Sequence, residues 1–323
     1  NKKPVIHVKD YIDKHGNIKP DMKDMFIHKT KGLISYMRGE DPYRFPERLY
    51  PKDVISIDDM PKLDKDGKPI KLKIKDLQIV PCVMKGMQAQ IYDKMENAHE
   101  KYGAFNQAGV MCSNIVFPKK DVDDPSSEKY NFNTFISNDG FNGLVKKEKI
   151  GKQLKYSIKH SEFEEIFDVK NLINYSAKIS KIIKHIDKSN GIVFIYSQYI
   201  NSGIVPLALA LEYAGYSKYG NSLIKDKVEQ KGNYIIISGS NDLSANAYSD
   251  YIKLQDSNKN GEKIKIILGS ETAAEGLDFS YIREVHILDP WFHLNKIEQV
   301  IGRGIRNCSH IDLSEKDRNV TIF

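Results

Sequence analysis

The stretch "GIVFIYSQ", residues 191 to 198, is a short apolar run that decides the fold of this chain. A glycine opens the run, five consecutive apolar residues follow, and the polar pair Ser197 and Gln198 ends it. An apolar run of this length without polar alternation is typical of a strand that is buried on both faces. The stretch therefore predicts a central strand of a parallel sheet.

The segments around this run continue the same rhythm of helix and strand. Upstream, residues 169–187 place isoleucine and leucine at three- and four-residue spacings, which predicts a helix with one apolar face. Downstream, "SGIVPLALALEYAGY" predicts a second helix that ends near Gly215. The later segments are predicted strands at "YIIISGS" (234–240), "KIKIILGS" (263–270), "REVHILDP" (283–290) and "NVTIF" (319–323), with helices from about Ser244 to Gln255 and from about Asn295.

Short buried strands that alternate with helices predict an α/β domain, a mostly parallel sheet with helices on both faces, over residues 166–323. The preceding half is less regular. Residues 1–80 combine a loop-like start with a lysine-rich hairpin that turns at Asp66-Gly67. Residues 81–165 combine a helix from Lys85 to about Tyr102 with a polar loop or insertion at 117–143.

The composition sets wide bounds on function. The chain has 323 residues, of which 40% are hydrophobic, and 49 Lys and Arg against 43 Asp and Glu. This basic excess permits a polyanionic partner without requiring one. The three cysteines have no zinc-site or redox spacing, which favours a reducing compartment. No apolar run approaches the length of a membrane span, so we expect no membrane partner, and the initial Asn suggests a piece of a longer chain.

The stretch "QVIGRGIR", residues 299–306, places two arginines on one side of a predicted helix. At about 100° per residue, Gln299, Arg303 and Arg306 share a face and the isoleucines lie opposite. One interpretation is an amphipathic helix with a solvated basic face. The other is a phosphate site, because the arginine fork stabilises phosphate oxygens during phosphoryl transfer. Gly302 would leave room there for a second surface.

Polar residues follow the predicted strands at the points where each strand ends. The carboxyl ends of parallel strands meet at one edge of a sheet, and ligands bind at that edge. Strand-end polar residues are also common without a ligand. Trp291 and Phe292 could stack on bases, but packing at a strand-to-helix corner is the favoured interpretation. The alternation of Lys71–Lys75 is explained by an exposed hairpin edge protected by lysine.

The segment "GSETAAEGLDFSYIREVHILDPWFHLNKIEQVIGRGIRNCSH", residues 269–310, resembles motifs V and VI of superfamily 2 helicases and translocases. The whole pattern is most similar to the DNA-dependent ATPases and helicases of large cytoplasmic DNA viruses, of the poxvirus and asfarvirus kind. Examples of this group are the small subunit of the early transcription factor and nucleoside triphosphate phosphohydrolase I. Residues 175–216 resemble the motif IV region, whereas 31–51 and 80–95 resemble the segment that links the two motor lobes.

This resemblance implies a RecA-like C-terminal lobe at 166–323, preceded by an interlobe linking segment at 1–80. It makes Arg303 and Arg306 catalytic arginine fingers that reach across a cleft to the phosphates of a nucleotide. The implied nucleotide-binding residues are Gly276, Asp278, Gln299 and Gly302. The implied nucleic-acid contacts are Ser197, Gln198, Ser238, Gly239, Ser270 and Thr272.

The family's phosphate loop, G-x-x-x-x-G-K-S/T, and its acidic pair for magnesium do not occur in these 323 residues. The resemblance therefore implies ATP and Mg²⁺ as cofactors of a full-length protein, with Mg²⁺ held by a first lobe, and neither held by this chain alone. The leading hypothesis is an ATP-dependent DNA helicase or translocase. The alternatives are a non-catalytic scaffold subunit and an RNA helicase. The implied partners are nucleic acid, the first lobe and the viral transcription machinery, in the virion and the host cytoplasm.

Overall fold

A computed structural model divides the chain into two compact units, Asn1–Asp41 and Pro42–Phe323. The residues that it describes are 8–13, 18–30, 44–55, 63, 67–69, 79–97, 107–120, 131–151, 153–224, 231–271, 277–291 and 294–323. Among them, no helix has both the length and the apolar content needed to cross a bilayer.

The first unit contains two short helices, α1 (Val8–Tyr11) and α2 (Lys23–Thr30). Tyr11 is buried, and its ring lies 5.6 Å from the ring of Phe26 in α2. A bridge between Ile12 and Ile18 closes the chain between the helices. The expectation of a loop-like start is thus wrong for these residues, because an aromatic contact between distant positions orders them.

The second unit is built on a seven-stranded sheet in which every pairing is parallel. The strand order is β1-β9-β8-β4-β7-β6-β5, and β2 and β3 form a separate antiparallel hairpin. The strands are β1 (Glu47–Leu49), β2 (Val145–Ile150), β3 (Gln153–Ile158), β4 (Ile192–Tyr196), β5 (Tyr216–Lys218), β6 (Gly232–Ile237), β7 (Ile266–Gly269), β8 (Ile282–Ile287) and β9 (Asn319–Ile322).

Helices cover both faces of this sheet. Among the described residues of the unit, the helices are α3 (Gly86–Asn97), α4 (Gln107–Asn114), α5 (Ser137–Leu144), α6 (Ala177–Ile186), α7 (Val205–Tyr213), α8 (Asn241–Ser244), α9 (Ala247–Leu254) and α10 (Leu294–Gly304). Val193 and Ile195 of β4 belong to the core that contains α6 and α7. Ile192 and Phe194 belong to the core that contains α9 and α10. The predicted α/β class, with a parallel sheet covered on both sides, is confirmed.

Three local predictions need correction. The helix expected over 169–187 begins at Ala177, where the hydroxyl of Ser176 accepts a hydrogen bond from the N–H of Ile179 at 3.1 Å. The polar segment 117–143 is not only loop, because α5 lies within it and Phe141 is buried. The β2–β3 hairpin was not predicted at all, although Leu154, Tyr156 and Ile158 alternate as a strand requires.

Some predictions for the first 102 residues fall partly outside the described residues. Asp66, Lys71–Lys75 and Tyr102 are not described, but Gly67 has a φ of +73° and Leu63 bridges Pro69, as a hairpin turn requires. Within 1–80, β1 pairs with β9 as an edge strand of the main sheet. The predicted domain boundaries at 80 and 165 remain predictions.

Helix α10 packs closely on the sheet through its last residue. A Cβ atom on Gly304 would lie 2.7 Å from Cγ2 of Val285 and 3.2 Å from Cγ2 of Ile282, both in β8. A Cβ atom on Gly302 would meet nothing within 4 Å. Within this chain the close approach therefore occurs at Gly304, and the room that the sequence suggested at Gly302 for a second surface remains a prediction.

This difference predicts opposite effects of two alanine substitutions in one helix. Gly304→Ala should lower the free energy of unfolding, because overpacking costs about 1 to 3 kcal/mol, more than the roughly 1 kcal/mol that alanine gains over glycine in a helix. Gly302→Ala should raise the free energy of unfolding by up to about 1 kcal/mol. Urea unfolding curves measure both, and equal stabilities of the two variants would contradict the packing of α10 on β8.

Candidate functional site

Helix α10 borders an open cavity of about 730 Å³. Its apolar residues Ile297, Val300 and Ile301 are buried against the sheet, which turns the opposite stripe outward. The cavity is lined by Gln299, Gly302, Arg303 and Arg306 from the α10 region and by Asp278, Phe279 and Ser280 from the segment before β8, together with Phe45, Ile305, Asn307, Cys308 and Ser309. Five of the six residues predicted to meet nucleotide thus share one cavity, and the sixth, Gly276, lies outside the described residues.

The two arginines converge on the segment before β8. Arg303 donates a hydrogen bond from NH1 to the carbonyl oxygen of Leu277 at 2.8 Å. NH2 of Arg306 lies 2.9 Å from Oδ1 of Asp278 and 3.5 Å from the Leu277 carbonyl oxygen. This loop is some 25 residues away in sequence, so helix geometry alone could not have revealed it.

The Arg306–Asp278 pair is accessible to a competing anion. The side chain of Asp278 is 74% exposed and that of Arg306 is 40% exposed. An ion pair with this exposure contributes little to stability, because water screens it. Nε of Arg306 is buried and has no hydrogen-bond partner among the described residues. The arginine therefore has an unused donor and a weakly held partner, and a phosphate can replace that partner at small cost.

The segment after α10 is anchored to the sheet through His310. Its Nε2 lies 2.7 Å from the carbonyl oxygen of Ile282 in β8, and its Nδ1 lies 2.8 Å from Oγ of Ser309. The hydroxyl of Ser309 also lies 2.9 Å from the carbonyl oxygen of Arg306, and its single hydrogen goes either to that oxygen or to Nδ1 of the ring. Burial is the main reason that the pKa of His310 is lowered to about 4. A neutral, buried imidazole thus fixes the backbone that bears Arg306.

A second group of predicted residues lies at the carboxyl edge of the sheet. Tyr196 and Ile237 are both in register with Gly269. The N–H of Ser197 donates to the carbonyl oxygen of Gly269 at 3.1 Å, and the N–H of Ser270 donates to that of Ile237 at 2.9 Å. The parallel pairing therefore aligns the ends of β4, β7 and β6 in one row.

The exposure of these strand-end residues differs. The structure leaves Gly239 exposed and Gln198 half-buried, whereas Ser238 and Ser270 are almost buried. Ser197 is fully buried and donates its hydroxyl hydrogen to Oδ1 of Asp289 at 2.5 Å, so its side chain does not reach the surface. Thr272 lies outside the described residues.

Asp289 is a functional candidate that the sequence analysis did not identify. This residue is fully buried and accepts three hydrogen bonds, from the Ser197 hydroxyl, the N–H of Gln198 at 2.9 Å and Nδ2 of Asn114 at 3.1 Å. Lys178 of α6 donates to the carbonyl oxygen of the preceding residue, Leu288, at 2.9 Å. Desolvation is the largest influence on Asp289 and raises its pKa, while the hydrogen bonds and Lys178 act against that rise. The signal in the sequence was an acidic residue directly after a buried strand.

The remaining candidates lie beside these two groups. Trp291 is half-buried and Nζ of Lys296 lies 4.3 Å from its ring centroid, while Phe292 is not described. A cation over that ring fits the predicted corner packing better than a free stacking platform.

In the part of the chain that the structure describes, no group of three or more His, Cys, Asp or Glu side chains has a geometry that could hold a metal ion.

Comparisons with known proteins show a similarity to helicases of large DNA viruses. The family model for the helicase conserved C-terminal domain matches residues 177–308. A protein of Acanthamoeba polyphaga mimivirus, named as an ATP-dependent RNA helicase, is 29% identical over 99% of this chain and 45% of its own length. A termination factor NPH-I homolog of African swine fever virus is 32% identical over 46% of this chain and 26% of its own length. This chain spans less than half the length of these curated relatives.

Among solved structures, the C-terminal part of the Fun30 ATPase domain aligns with 46% of this chain and 40% of that chain. The sequence identity is 19% and the TM-score is 0.32.

The two aspartates of this region should respond differently to truncation. Asp289→Ala leaves the donors of Ser197, Gln198 and Asn114 buried without their acceptor and removes the negative charge near Lys178, which should cost about 3 to 5 kcal/mol of unfolding free energy. Asp278→Ala removes only an exposed ion pair and should cost less than about 1 kcal/mol. Urea unfolding of both variants tests this, and similar costs would show that Asp289 does not organise the edge of the sheet.

His310 should make stability depend on pH. Its folded pKa of about 4 lies below the ordinary value of 6.5, so the unfolded chain binds the proton first as the pH falls. This contribution to stability is complete above about pH 6.5 and is lost between there and about pH 4, by roughly 3 kcal/mol. In the variant His310→Gln this part of the acid dependence should vanish. Unfolding free energies of both proteins across that range are the measurement, and parallel curves would disprove the assignment.

Proposed function

Because this chain contains a helicase conserved C-terminal domain and is a relative of the superfamily 2 helicases of large DNA viruses, we propose that it is the second motor lobe of an ATP-dependent DNA helicase or translocase. In this proposal Arg303 and Arg306 act as arginine fingers on a nucleotide that a first lobe holds. The observation that carries the proposal is the convergence of both guanidinium groups in one open cavity beside Gln299 and Asp278.

The chemistry of the cavity fits the phosphate end of a nucleotide. Two permanent cations with planar donor groups lie close together, Arg303 in the last turn of α10 and Arg306 two residues after its end, and Gln299 adds an amide that can donate or accept. As the lobes close on ATP, the phosphates would replace Asp278 and Leu277 as partners of the arginines. Mg²⁺ would neutralise charge on the phosphates when bound, and the residues of the first lobe would hold it.

Asp278 then positions Arg306 between turnovers. Its carboxylate keeps the guanidinium group at the mouth of the cavity at 2.9 Å, so the side chain does not have to be ordered when the nucleotide arrives. Once the phosphates take the arginine, Asp278 is free to accept a hydrogen bond from a nucleotide hydroxyl. Gly302, whose surroundings are open, leaves room above α10 for the opposing lobe.

The carboxyl edge of the sheet supplies the nucleic-acid track in this proposal. In this row the exposed backbone of Gly239 and the side-chain amide of Gln198 would contact phosphate oxygens, with the hydroxyl groups of Ser238 and Ser270 beneath them. Ser197 supports this row without contacting the nucleic acid. Its hydrogen bond to Asp289 holds the turn that presents Gln198. Contacts of this kind give affinity without sequence specificity and make binding fall steeply with salt.

A second candidate substrate is RNA, because the mimivirus relative carries the name of an RNA helicase. Stimulation of ATP turnover by duplex DNA, single-stranded DNA and RNA distinguishes the two. We favour DNA, and a role in viral transcription, in view of the similarity to a termination factor NPH-I homolog. The host cytoplasm, where such viruses assemble their factories, and the virion are the proposed places of action.

Removal of Arg306 should abolish ATP turnover in the protein that contains both lobes. An arginine finger is worth about 10³- to 10⁵-fold in turnover, so Arg306→Ala should lower kcat by that order. Arg306→Lys should not restore it, because an ammonium group lacks the two-pronged geometry. The measurement is steady-state ATP hydrolysis with saturating nucleic acid.

Arg48→Ala is the matched control, since Arg48 contacts the same helix through Glu298 at 3.2 Å but does not line the cavity. It loses one positive charge and should keep turnover near the wild-type rate. If Arg306→Ala retains the turnover of the Arg48→Ala protein while both remain folded, the finger assignment is wrong.

A further inference from the structure

The β2–β3 hairpin concentrates the positive charge of the chain. Residues 145–159 contain six lysines and one glutamate, a formal net charge of +5, whereas the whole chain has +6. Lys146, Lys147 and Lys149 are all exposed. A short, strongly basic element of this kind creates a local field that attracts a polyanion.

The hairpin is attached to the carboxyl edge of the main sheet. Helix α5, which leads into β2, contacts the turn after β4, where Nδ2 of Asn201 donates to Oδ1 of Asn138 at 2.9 Å. At the other end of the row, Nζ of Lys149 lies 2.9 Å from Oδ1 of Asp242 in α8, the helix that follows β6. The unit of α5 and the hairpin thus lies along the ends of β4 and β6.

The two faces of the hairpin have different roles. Lys147 is paired with Tyr156 and Lys149 with Leu154, so these two lysines lie on the face that also contacts the core. On the opposite face, Lys146 forms an ion pair with Glu148 at 2.7 Å, and Lys155 donates to the carbonyl oxygen of Ser222 at 2.7 Å. The hairpin therefore turns Lys147 and Lys149 toward α8 and the end of β6, whereas Lys146 and Lys155 have partners within the chain.

Asp242 is the only acidic residue that α8 contributes, and it lies at the start of that helix, four residues after Ser238. The hydrogen bond from Lys149 is the main reason that the pKa of Asp242 is lowered, and Lys147 adds a smaller effect of the same sign. Both lysines are therefore near this carboxylate. Because all three side chains are exposed, a phosphate can compete for the lysines.

We propose that Lys147 and Lys149 form a phosphate-contacting site that extends the nucleic-acid track from the end of β6 onto the hairpin, with the phosphodiester backbone as its ligand. This inference rests on the proposed function for the track itself, and it adds a sequence-independent contact outside the helicase motifs. When no ligand is bound, Asp242 holds the lysines in place. When the phosphodiester binds, the negative charge of Asp242 repels it.

The test is a salt titration of nucleic-acid binding by the 323-residue chain. Fluorescence anisotropy with short labelled duplex DNA, single-stranded DNA and single-stranded RNA gives the dependence of log K on log salt between about 50 and 200 mM. For the double variant Lys147→Gln/Lys149→Gln, the slope should shrink by about 1.8 on a duplex or about 1.4 on a single strand. A loss near these values in one arm, with an unchanged slope in the other two, identifies the nucleic acid that occupies the site.

The matched control is Lys184→Gln/Lys188→Gln. Both of these lysines are exposed around the end of α6, next to the amino end of β4 and thus at the opposite edge of the sheet. The control loses the same charge and should keep the wild-type slope. A second variant, Asp242→Asn, breaks the same ion pair as Lys149→Gln but keeps both lysines, and it should bind nucleic acid more tightly than the wild type.

Each outcome decides the matter. A reduced slope in the hairpin variant alone, with tighter binding by Asp242→Asn, supports the site. If the wild-type chain binds and the hairpin and control variants have equal slopes, the hairpin site is overturned. The proposed function is then unaffected. Weaker binding by Asp242→Asn also overturns the hairpin site, because the ion pair would then act only on the fold. A wild-type chain that binds none of the three nucleic acids overturns the track and the hairpin site together.

Discussion

The parallel pairing of β4 with β7 on one side and β8 on the other is the constraint on which this structure depends. Because β4 is buried on both faces and bonded along both edges, its carboxyl end must lie beside those of its two neighbours. The polar residues that follow these three strands are thereby brought to one edge. The same sheet provides β8 as the surface on which α10 packs, so the arginine cavity depends on the same strands.

The two aspartates at this edge of the sheet differ in burial, and this difference suits them to different roles. Asp289 is enclosed and accepts hydrogen bonds from the two residues that follow β4 and from α4, so it joins elements that are far apart in sequence. Asp278 is exposed and holds Arg306 through one screened ion pair. A buried carboxylate is costly to disturb, whereas an exposed one exchanges partners readily. The first suits a fixed framework, and the second suits a group that must change partners in each cycle.

The sequence was sufficient for the elements whose signals are local. The apolar runs located β4, β6, β7, β8 and β9, and helical spacing located Gln299 and Arg303 on the polar side of α10, whereas Arg306 lies two residues past the end of that helix. Gly215 marked the end of α7 to within two residues. The sequence was not sufficient to predict α5 or the β2–β3 hairpin, because their few apolar side chains are embedded among lysine, asparagine and glycine. Phe117, Phe135 and Phe141 are buried only when these distant segments come together, and that is not visible in a polar stretch.

Residue order alone was enough to establish an α/β chain whose α10 offers Gln299 and Arg303 on the side away from its isoleucines, while Arg306 follows just after the end of that helix. Helix geometry and strand length are set by neighbouring residues, and no distant contact is needed to predict them. The fold alone decided that Arg306 meets Asp278, that Ser197 is buried on Asp289 and that the basic hairpin lies beside the end of β6. Arg306 and Asp278 are 28 positions apart in sequence, Ser197 and Asp289 are 92 apart, and Lys149 of the hairpin and Asp242 are 93 apart. Such contacts form only after the sheet has chosen its strand order, because burial of the whole core, and not any local preference, determines that order.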